Sequence, residues 1–131
     1  MRPKLLLLAA LLLAAPAAAQ RMPEWRTAPE AEILLRPFAY EPNVIRLGAG
    51  QPVKLRFVNN GRTTLGFSAP AFFAAARIRP HDRAFLRGGE VRLAPGDWVT
   101  IALVPAPGRY RVRSRNLAHR LLGMSATIVV E

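Results

Sequence analysis

The sequence predicts an all-β fold, either a sandwich or a barrel. From Ile33 onward, short apolar segments are separated by turn-forming Gly, Pro and Asn residues at intervals of about 8–12 residues. Several of these segments alternate apolar and polar side chains, which is typical of strands with one buried face. The chain shows no internal repeat and no pattern of a long helix. These features together indicate a small β-domain.

Seven or eight strands are predicted in this part of the chain. They are residues 33–40, 44–47, 53–57, 63–68, 90–93, 98–104, 109–115 and 125–131. In the third segment, Val53, Leu55 and Phe57 are predicted to face the core. Lys54 and Arg56, which alternate with them, are then predicted to face water.

One segment has helical rather than strand character. Residues 70–76 begin with Pro and are rich in Ala, which favours one or two helical turns. Phe72 and Phe73 in this segment either cap the core or form an exposed apolar patch. Residues 77–89 are predicted to form a basic loop that contains His81. This loop is an unfavourable metal site, because its arginines would repel a cation.

The first 19 residues have the pattern of a secretory signal peptide. Arg2 and Lys4 precede an apolar run over residues 5–13, and small residues at 17–19 precede Gln20. The apolar run is too short to span a bilayer. We therefore predict three parts: a signal peptide over 1–19, an irregular leader over 20–32, and one domain over 33–131. Export to the periplasm follows, and after cleavage no membrane-spanning segment is expected.

The chain is strongly basic and has no cysteine. It has 19 Lys and Arg residues against 8 Asp and Glu, a formal net charge of +11. Two basic and no acidic residues precede Gln20, so the remainder carries 17 basic and 8 acidic residues, or +9. Such a charge attracts acidic proteins, lipid head groups or polyanions, although an arginine-rich composition can also arise without a functional cause. No nucleic-acid partner is expected for an exported protein.

Four arginines are predicted to project from one face of a single strand. Arg109, Arg111, Arg113 and Arg115 alternate with residues predicted to face the core, which are Tyr110, Val112 and Ser114. This stripe either binds an acidic partner or forms a solvated strand face that discourages edge pairing.

The C-terminal region carries the most specific motif. After Gly108-x-Tyr110, Ser114 follows four residues beyond the tyrosine, His119 five residues later and Met124 five after that. This run resembles the copper loop of the cupredoxins, with Ser at the position of their Cys. Further similar segments extend the resemblance over about residues 33–131. They are Asn59-x-Gly61 with Leu65-Gly66-Phe67, Ala94-Pro95-Gly96, and residues 123–130.

The resemblance implies a Greek-key β-sandwich but an incomplete metal site. The typical cupredoxin binds one copper ion through two His and a Cys, with a weak axial Met, and transfers single electrons. By this resemblance, Leu65 stands at the first His position and Ser114 at the Cys position. His119 stands at the second His and Met124 at the axial Met. Without a thiolate, no blue copper centre and no ordinary electron transfer are expected.

These observations favour a non-enzymatic role. The chain has no Cys nucleophile, no Gly-rich phosphate loop and no evident carboxylate pair. We therefore predict a periplasmic accessory module that presents a basic face to an acidic envelope protein and needs no cofactor. One alternative is a copper-binding protein that uses His119 and Met124, which otherwise are loop residues that pack well. The other alternative is a protein that binds anions or a membrane surface.

Overall fold

The predicted all-β fold is confirmed by the computed structural model, which describes residues 22–131. The signal peptide predicted for residues 1–19 lies outside this range. Within the described residues, two five-stranded sheets pack against each other around one core. The strands are β1 (Glu30–Arg36), β2 (Ala39–Glu41), β3 (Val44–Leu47), β4 (Val53–Asn59), β5 (Leu65–Ser68), β6 (Arg77–Ile78), β7 (Glu90–Leu93), β8 (Trp98–Val104), β9 (Gly108–Arg113) and β10 (Ser125–Val130).

The two sheets are mixed, and the chain crosses between them repeatedly. Sheet I has the strand order β2-β1-β4-β8-β6, and sheet II has the order β3-β10-β9-β5-β7. The pairs β1–β4 and β3–β10 are parallel, and the other pairs are antiparallel. Because consecutive strands such as β3, β4 and β5 alternate between sheets, the architecture is a sandwich.

The core forms from the side chains that alternate inward on both sheets. Val53, Leu55 and Phe57 are buried as predicted, while Lys54 and Arg56 are only partly covered. Phe57 on sheet I meets Phe67 on sheet II with ring centroids 4.8 Å apart. Edge-to-face aromatic packing of this kind stabilises the contact between the sheets beyond its buried area.

The first predicted strand, residues 33–40, is in fact a hairpin. β1 begins at Glu30, inside the predicted leader, and ends at Arg36. A turn at Pro37 and Phe38 then leads into β2, with Phe38 at a φ of 64°. Pro37 lacks the N–H that would continue the ladder. The earlier start reflects parallel pairing of Glu30 with Lys54 of β4, a distant pairing that local alternation does not reveal.

The predicted basic loop over residues 77–89 contains regular structure, so that prediction is wrong. It holds β6 and a 3-10 helix over Pro80–Phe85. The cause is Asp82, a buried carboxylate that accepts a hydrogen bond of 2.8 Å from the backbone N–H of Ala102. Arg79 donates two further bonds to the same carboxylate, at 2.8 and 3.1 Å. The added β2 and β6 explain why ten strands form within residues 22–131 rather than seven or eight.

Two short α-helices complete the described fold. The predicted helical segment is confirmed as α1 (Pro70–Ala75), which has Pro in its first turn. Phe72 and Phe73 on α1 are buried, so they cap the core and do not form an exposed patch. The second helix, α2 (Leu117–Leu121), lies in the loop between β9 and β10 and was not predicted. The helices within residues 22–131 include none with the length and apolarity of a membrane span.

Candidate functional site

Ser114 and His119 lie in the loop that follows β9, and local hydrogen bonds fix that loop. The backbone N–H of Asn116 donates to Ser114 Oγ at 3.2 Å. The Asn116 side chain in turn accepts from the backbone N–H of His119 at 3.2 Å and so caps α2. The Ser114 hydroxyl therefore helps to start the loop in which His119 is held.

The loop before Leu65 is fixed by the side chain of Asn59. Its Nδ2 donates to the carbonyl oxygens of Thr63 and Leu93, both at 2.9 Å. Its Oδ1 accepts from the backbone N–H of Gly61 at 2.8 Å. Because Asn59 is almost fully buried, these three bonds satisfy a costly polar group and join β4, the loop and β7.

Leu65 and Met124 belong to the hydrophobic core. Both side chains are essentially inaccessible to solvent. Met124 is tied to the preceding loop by its backbone N–H, which donates to the His119 carbonyl at 3.0 Å. The His119 ring is half-buried and packs edge-on against Phe38, with centroids 5.4 Å apart.

Ser114 and His119 line a small polar cavity of about 170 Å³, whereas Leu65 and Met124 do not. The structure thus brings together two of the four positions that the resemblance singles out. Three charged side chains also line the cavity: Glu90 and Arg92 of β7, and Arg115 of the loop after β9. The cavity is therefore a charged environment rather than an apolar pocket that surrounds a soft metal.

Glu90 is the member of this site that the sequence did not reveal. Its side chain is only 8% exposed, and Oε2 lies 3.4 Å from Arg115 Nε. Arg115 also donates from Nη2 to the Gly88 carbonyl at 3.1 Å. A Cβ at Gly66 would lie 3.2 Å from the Glu90 carboxyl carbon, so the glycine leaves room for this group. Nothing in the sequence around Glu90 indicates that its side chain is buried, because a charged residue in an alternating strand is expected to face water.

The negative charge of Glu90 also acts on Tyr40. Its hydroxyl donates to the Gly66 carbonyl. Burial, and to a lesser extent the negative charge of Glu90, raises the pKa of Tyr40 well above its ordinary value. The phenol therefore remains a neutral donor throughout the physiological pH range.

The donor set does not fit a type 1 copper centre. Such a centre needs a thiolate, and the chain has no cysteine. His81 lies on the 3-10 helix, where its ring packs against Phe85 and does not line the cavity. Over residues 22–131, no cluster of three or more His, Cys, Asp or Glu side chains could hold a metal ion. Copper binding by His119 and Met124 alone stays a prediction.

The predicted arginine stripe is exposed, and its last member differs from the others. Arg109, Arg111 and Arg113 project from the outer face of β9 in sheet II. Arg115 lies beyond the end of β9 and pairs with Glu90. The strand register places two further arginines on the same outer face. Arg46 of β3 lies beside Val129, which pairs with Arg109. Arg92 of β7 lies opposite Gly66, two residues before the Ser68 that pairs with Arg113. We call these five outer-face residues the arginine face: Arg46, Arg92, Arg109, Arg111 and Arg113.

The match to a family model decides the classification. The model of the cupredoxin-like domain matches residues 4–130 of this chain. The chain belongs to the cupredoxin-like domain family. No curated protein matches it.

Solved structures with the same fold include three auracyanins. This cupredoxin-like chain is 21% identical to the dithionite-reduced auracyanin of Roseiflexus castenholzii, with a TM-score of 0.57 over 80% of this chain and 98% of that one. It is 20% identical to auracyanin B, with a TM-score of 0.58 over 85% and 91% of the two chains. Auracyanin A of Chloroflexus aurantiacus, described as a "blue" copper protein, is 19% identical, with a TM-score of 0.56 over 79% and 100%. At these identities the similarity shows a common fold.

Proposed function

We propose that this cupredoxin-like protein is an exported, non-enzymatic module that binds an acidic protein of the cell envelope through the arginine face. The observation that carries the proposal is the charge of sheet II. Its strands hold five arginines and one acidic residue, Glu90, which is buried and paired with Arg115. Export is supported by the signal-peptide pattern over residues 1–19.

The contrast with sheet I supports a specific role for the arginine face. The strands of sheet I hold four basic and three acidic residues. Two ion pairs balance these charges, Arg36 with Glu41 at 3.3 Å and Arg56 with Glu32 at 3.9 Å. Among the described residues, no member of the arginine face makes an ion pair. The basic character is therefore concentrated on one side of the sandwich.

The spacing of these arginines suits carboxylate ligands. Alternate residues of a strand are separated by about 7 Å, so Arg109, Arg111 and Arg113 form a regular row of guanidinium groups. Each guanidinium can bind a carboxylate through two parallel hydrogen bonds. A partner with clustered Asp and Glu would also relieve the mutual repulsion of the row. Electrostatic attraction of this kind acts chiefly on the association rate and weakens with salt.

The charge-reversed variant Arg109→Glu/Arg111→Glu/Arg113→Glu tests the proposal. Binding of a fluorescent polyglutamate peptide to the chain from Gln20 is measured by anisotropy at two salt concentrations. We expect salt-sensitive binding that is lost in the variant. The matched control reverses Arg26, Arg77 and Arg83, which are exposed and lie outside sheet II. Equal loss in the control would mean that net charge alone governs binding, and the proposal would fail.

Photo-crosslinking in the native host distinguishes a protein partner from other anions. A crosslinking side chain at position 111 is expected to capture an acidic protein, whereas one at position 77, on the edge of sheet I, is not. Capture of the same protein from both positions, or of none from position 111, would contradict the assignment of this face.

A further inference from the structure

The loop that contains His119 carries three exposed leucines. Leu117 is 59% exposed, Leu121 76% and Leu122 62%. Leu117 and Leu121 are four residues apart on α2 and therefore share one side of the helix. Phe38, 44% exposed, lies beside the helix through its contact with the His119 ring. We call these four residues the apolar tip. No other part of the described surface brings so many exposed large apolar residues together in one loop and its neighbouring turn.

Basic residues accompany the apolar tip. The loop over residues 114–124 contains two arginines and no acidic residue. Arg120 of α2 shares two shallow pockets with Arg111 and Arg113 of the arginine face. The hydroxyl residues Ser125 and Thr127 line one of these pockets. Three guanidinium groups with neighbouring hydroxyls form a suitable site for a phosphate group.

We propose that the apolar tip and the adjacent arginines bind the surface of an anionic phospholipid membrane. The leucines and Phe38 would enter the interface between head groups and acyl chains, while Arg111, Arg113 and Arg120 contact lipid phosphates. Segments that lie on membranes combine exposed Leu and Phe with Lys or Arg in this way. The inference rests on the apolar tip and does not depend on an acidic protein partner.

Residue chemistry favours lipid over protein as the occupant. Protein hot spots are enriched in Trp, Tyr and Arg, whereas Leu is under-represented among them. None of the three leucines lines the two pockets that Arg120 shares with Arg111 and Arg113. The loop that carries the leucines has two arginines and no acidic residue, which complements an anionic leaflet.

Vesicle co-sedimentation tests the proposal. The chain from Gln20 is used, because it contains every described element and lacks the apolar run of residues 5–13. We expect binding to vesicles of mixed phosphatidylcholine and phosphatidylglycerol and little binding to phosphatidylcholine alone. The variant Leu117→Ser/Leu121→Ser/Leu122→Ser is expected to lower the partition coefficient at least about tenfold, because it removes the apolar surface that would leave water.

Two controls separate this effect from others. The variant Met22→Ser/Trp98→Ser removes exposed apolar side chains outside sheet II and outside the loop over residues 114–124, and it is expected to bind vesicles like the parent. The triple-leucine variant is expected to retain its thermal unfolding midpoint, since none of these leucines belongs to the core. It should also keep its affinity for polyglutamate, so failure of the membrane proposal can be distinguished from failure of the proposed protein docking.

Three results would overturn the membrane assignment. The first is absence of binding to the anionic vesicles. The second is undiminished binding by the triple-leucine variant, which would indicate adsorption by charge alone. The third is concentration-dependent dimerisation, measured by analytical ultracentrifugation, that the leucine substitutions abolish. This last result would assign the tip to a second copy of the chain.

Discussion

Arg115 and Glu90 form an ion pair at the cavity that Ser114 and His119 line. The Nε–Oε2 distance is 3.4 Å, with the Glu90 side chain 8% and the Arg115 side chain 59% exposed. In the typical cupredoxin, a metal cation is bound among the corresponding loop positions. Here a guanidinium group of the chain itself compensates a buried carboxylate. Ser114 and His119, two of the positions that the resemblance singles out, therefore lie beside an ion pair.

The first prediction concerns this pair. Replacing Arg115 with Ala leaves the Glu90 carboxylate buried without its cation, which is unfavourable in a poorly solvated site. We expect the free energy of unfolding at neutral pH to fall by about 1–2 kcal/mol, less than for a fully buried pair because Arg115 is largely exposed. Urea denaturation measures the change.

A second substitution checks the electrostatic origin of that loss. Glu90→Gln in the Arg115→Ala background removes the uncompensated charge and should restore part of the stability. If the double variant is no more stable than Arg115→Ala, the loss comes from the packing of the arginine stem or its bond to Gly88 and not from the charge pair.

The second prediction concerns the pH dependence of stability through Tyr40. Burial and Glu90 raise the pKa of Tyr40 in the folded protein, while in the unfolded chain it titrates near its ordinary value of about 10. Above that pH the unfolded state binds fewer protons than the folded state, so the free energy of unfolding falls as pH rises. The stabilisation is fully present below about pH 10 and is lost by up to about 1.4 kcal/mol per pH unit above it.

Denaturation midpoints on either side of about pH 10 test this sign. Tyr40→Phe should have a shallower decline with pH, although it loses the bond to the Gly66 carbonyl and begins from a lower stability. Tyr110→Phe is the matched control, since it removes the other tyrosine, which is half-buried and bonds to Ala106 and Pro107. An equal slope for Tyr40→Phe and the parent would contradict the role of Tyr40.

The fold could be predicted from the sequence wherever alternation and turn residues act locally. The strands β3, β7 and β8 have the predicted bounds, because turn-forming residues stand near both ends of each segment. α1 was predictable from its Pro and Ala content. Two of the elements that were missed depend on a distant contact, whereas α2, which was also missed, is capped locally by Asn116. β6 and the 3-10 helix are fixed by Asp82 against the backbone of Ala102, a partner 20 residues away.

In the candidate site, too, local residue identities could be predicted from the sequence, whereas contacts between distant residues could not. The expected absence of a blue copper centre follows from the residue types at Leu65 and Ser114, which the sequence states directly. The pairing of Glu90 with Arg115 joins residues of β7 and the loop after β9, and neither residue signals the other. The exposure of Leu117 and Leu121 could not be predicted from the sequence either. Apolar residues in a loop predict burial by default, and only the packing of α2 reveals that they project outward.

The third prediction tests how strongly Asp82 determines the structure of residues 77–89. Asp82→Ala removes the acceptor of the Ala102 N–H and the partner of Arg79 in a site that is 1% exposed. We expect a loss of about 2–4 kcal/mol in the free energy of unfolding. Asp82→Asn should cost less, since its amide oxygen can still accept from Ala102. The exposed Glu24→Ala is the control, with an expected change within about 0.5 kcal/mol. A loss no larger than that of the control would contradict the role of Asp82.

The fourth prediction concerns copper. Titration of the chain from Gln20 with Cu(II) should produce no intense visible band, because that band requires a thiolate–copper bond. In the variant Leu65→His/Ser114→Cys, the four positions would hold two imidazoles, a thiolate and the thioether of Met124. We expect this variant to bind copper with an intense visible band, and Ser114→Cys alone, with one imidazole fewer, to bind more weakly.

His119→Ala checks each part of the copper prediction. In the Leu65→His/Ser114→Cys background it should weaken binding, because it removes one of the two imidazoles. In the parent protein, His119→Ala distinguishes copper bound specifically at His119 from copper bound adventitiously. If the parent binds one copper ion more tightly than about micromolar, and His119→Ala abolishes this, the protein is a copper-binding cupredoxin that works without a thiolate. The metal-independent role proposed for this chain would then be wrong, whatever the arginine face binds.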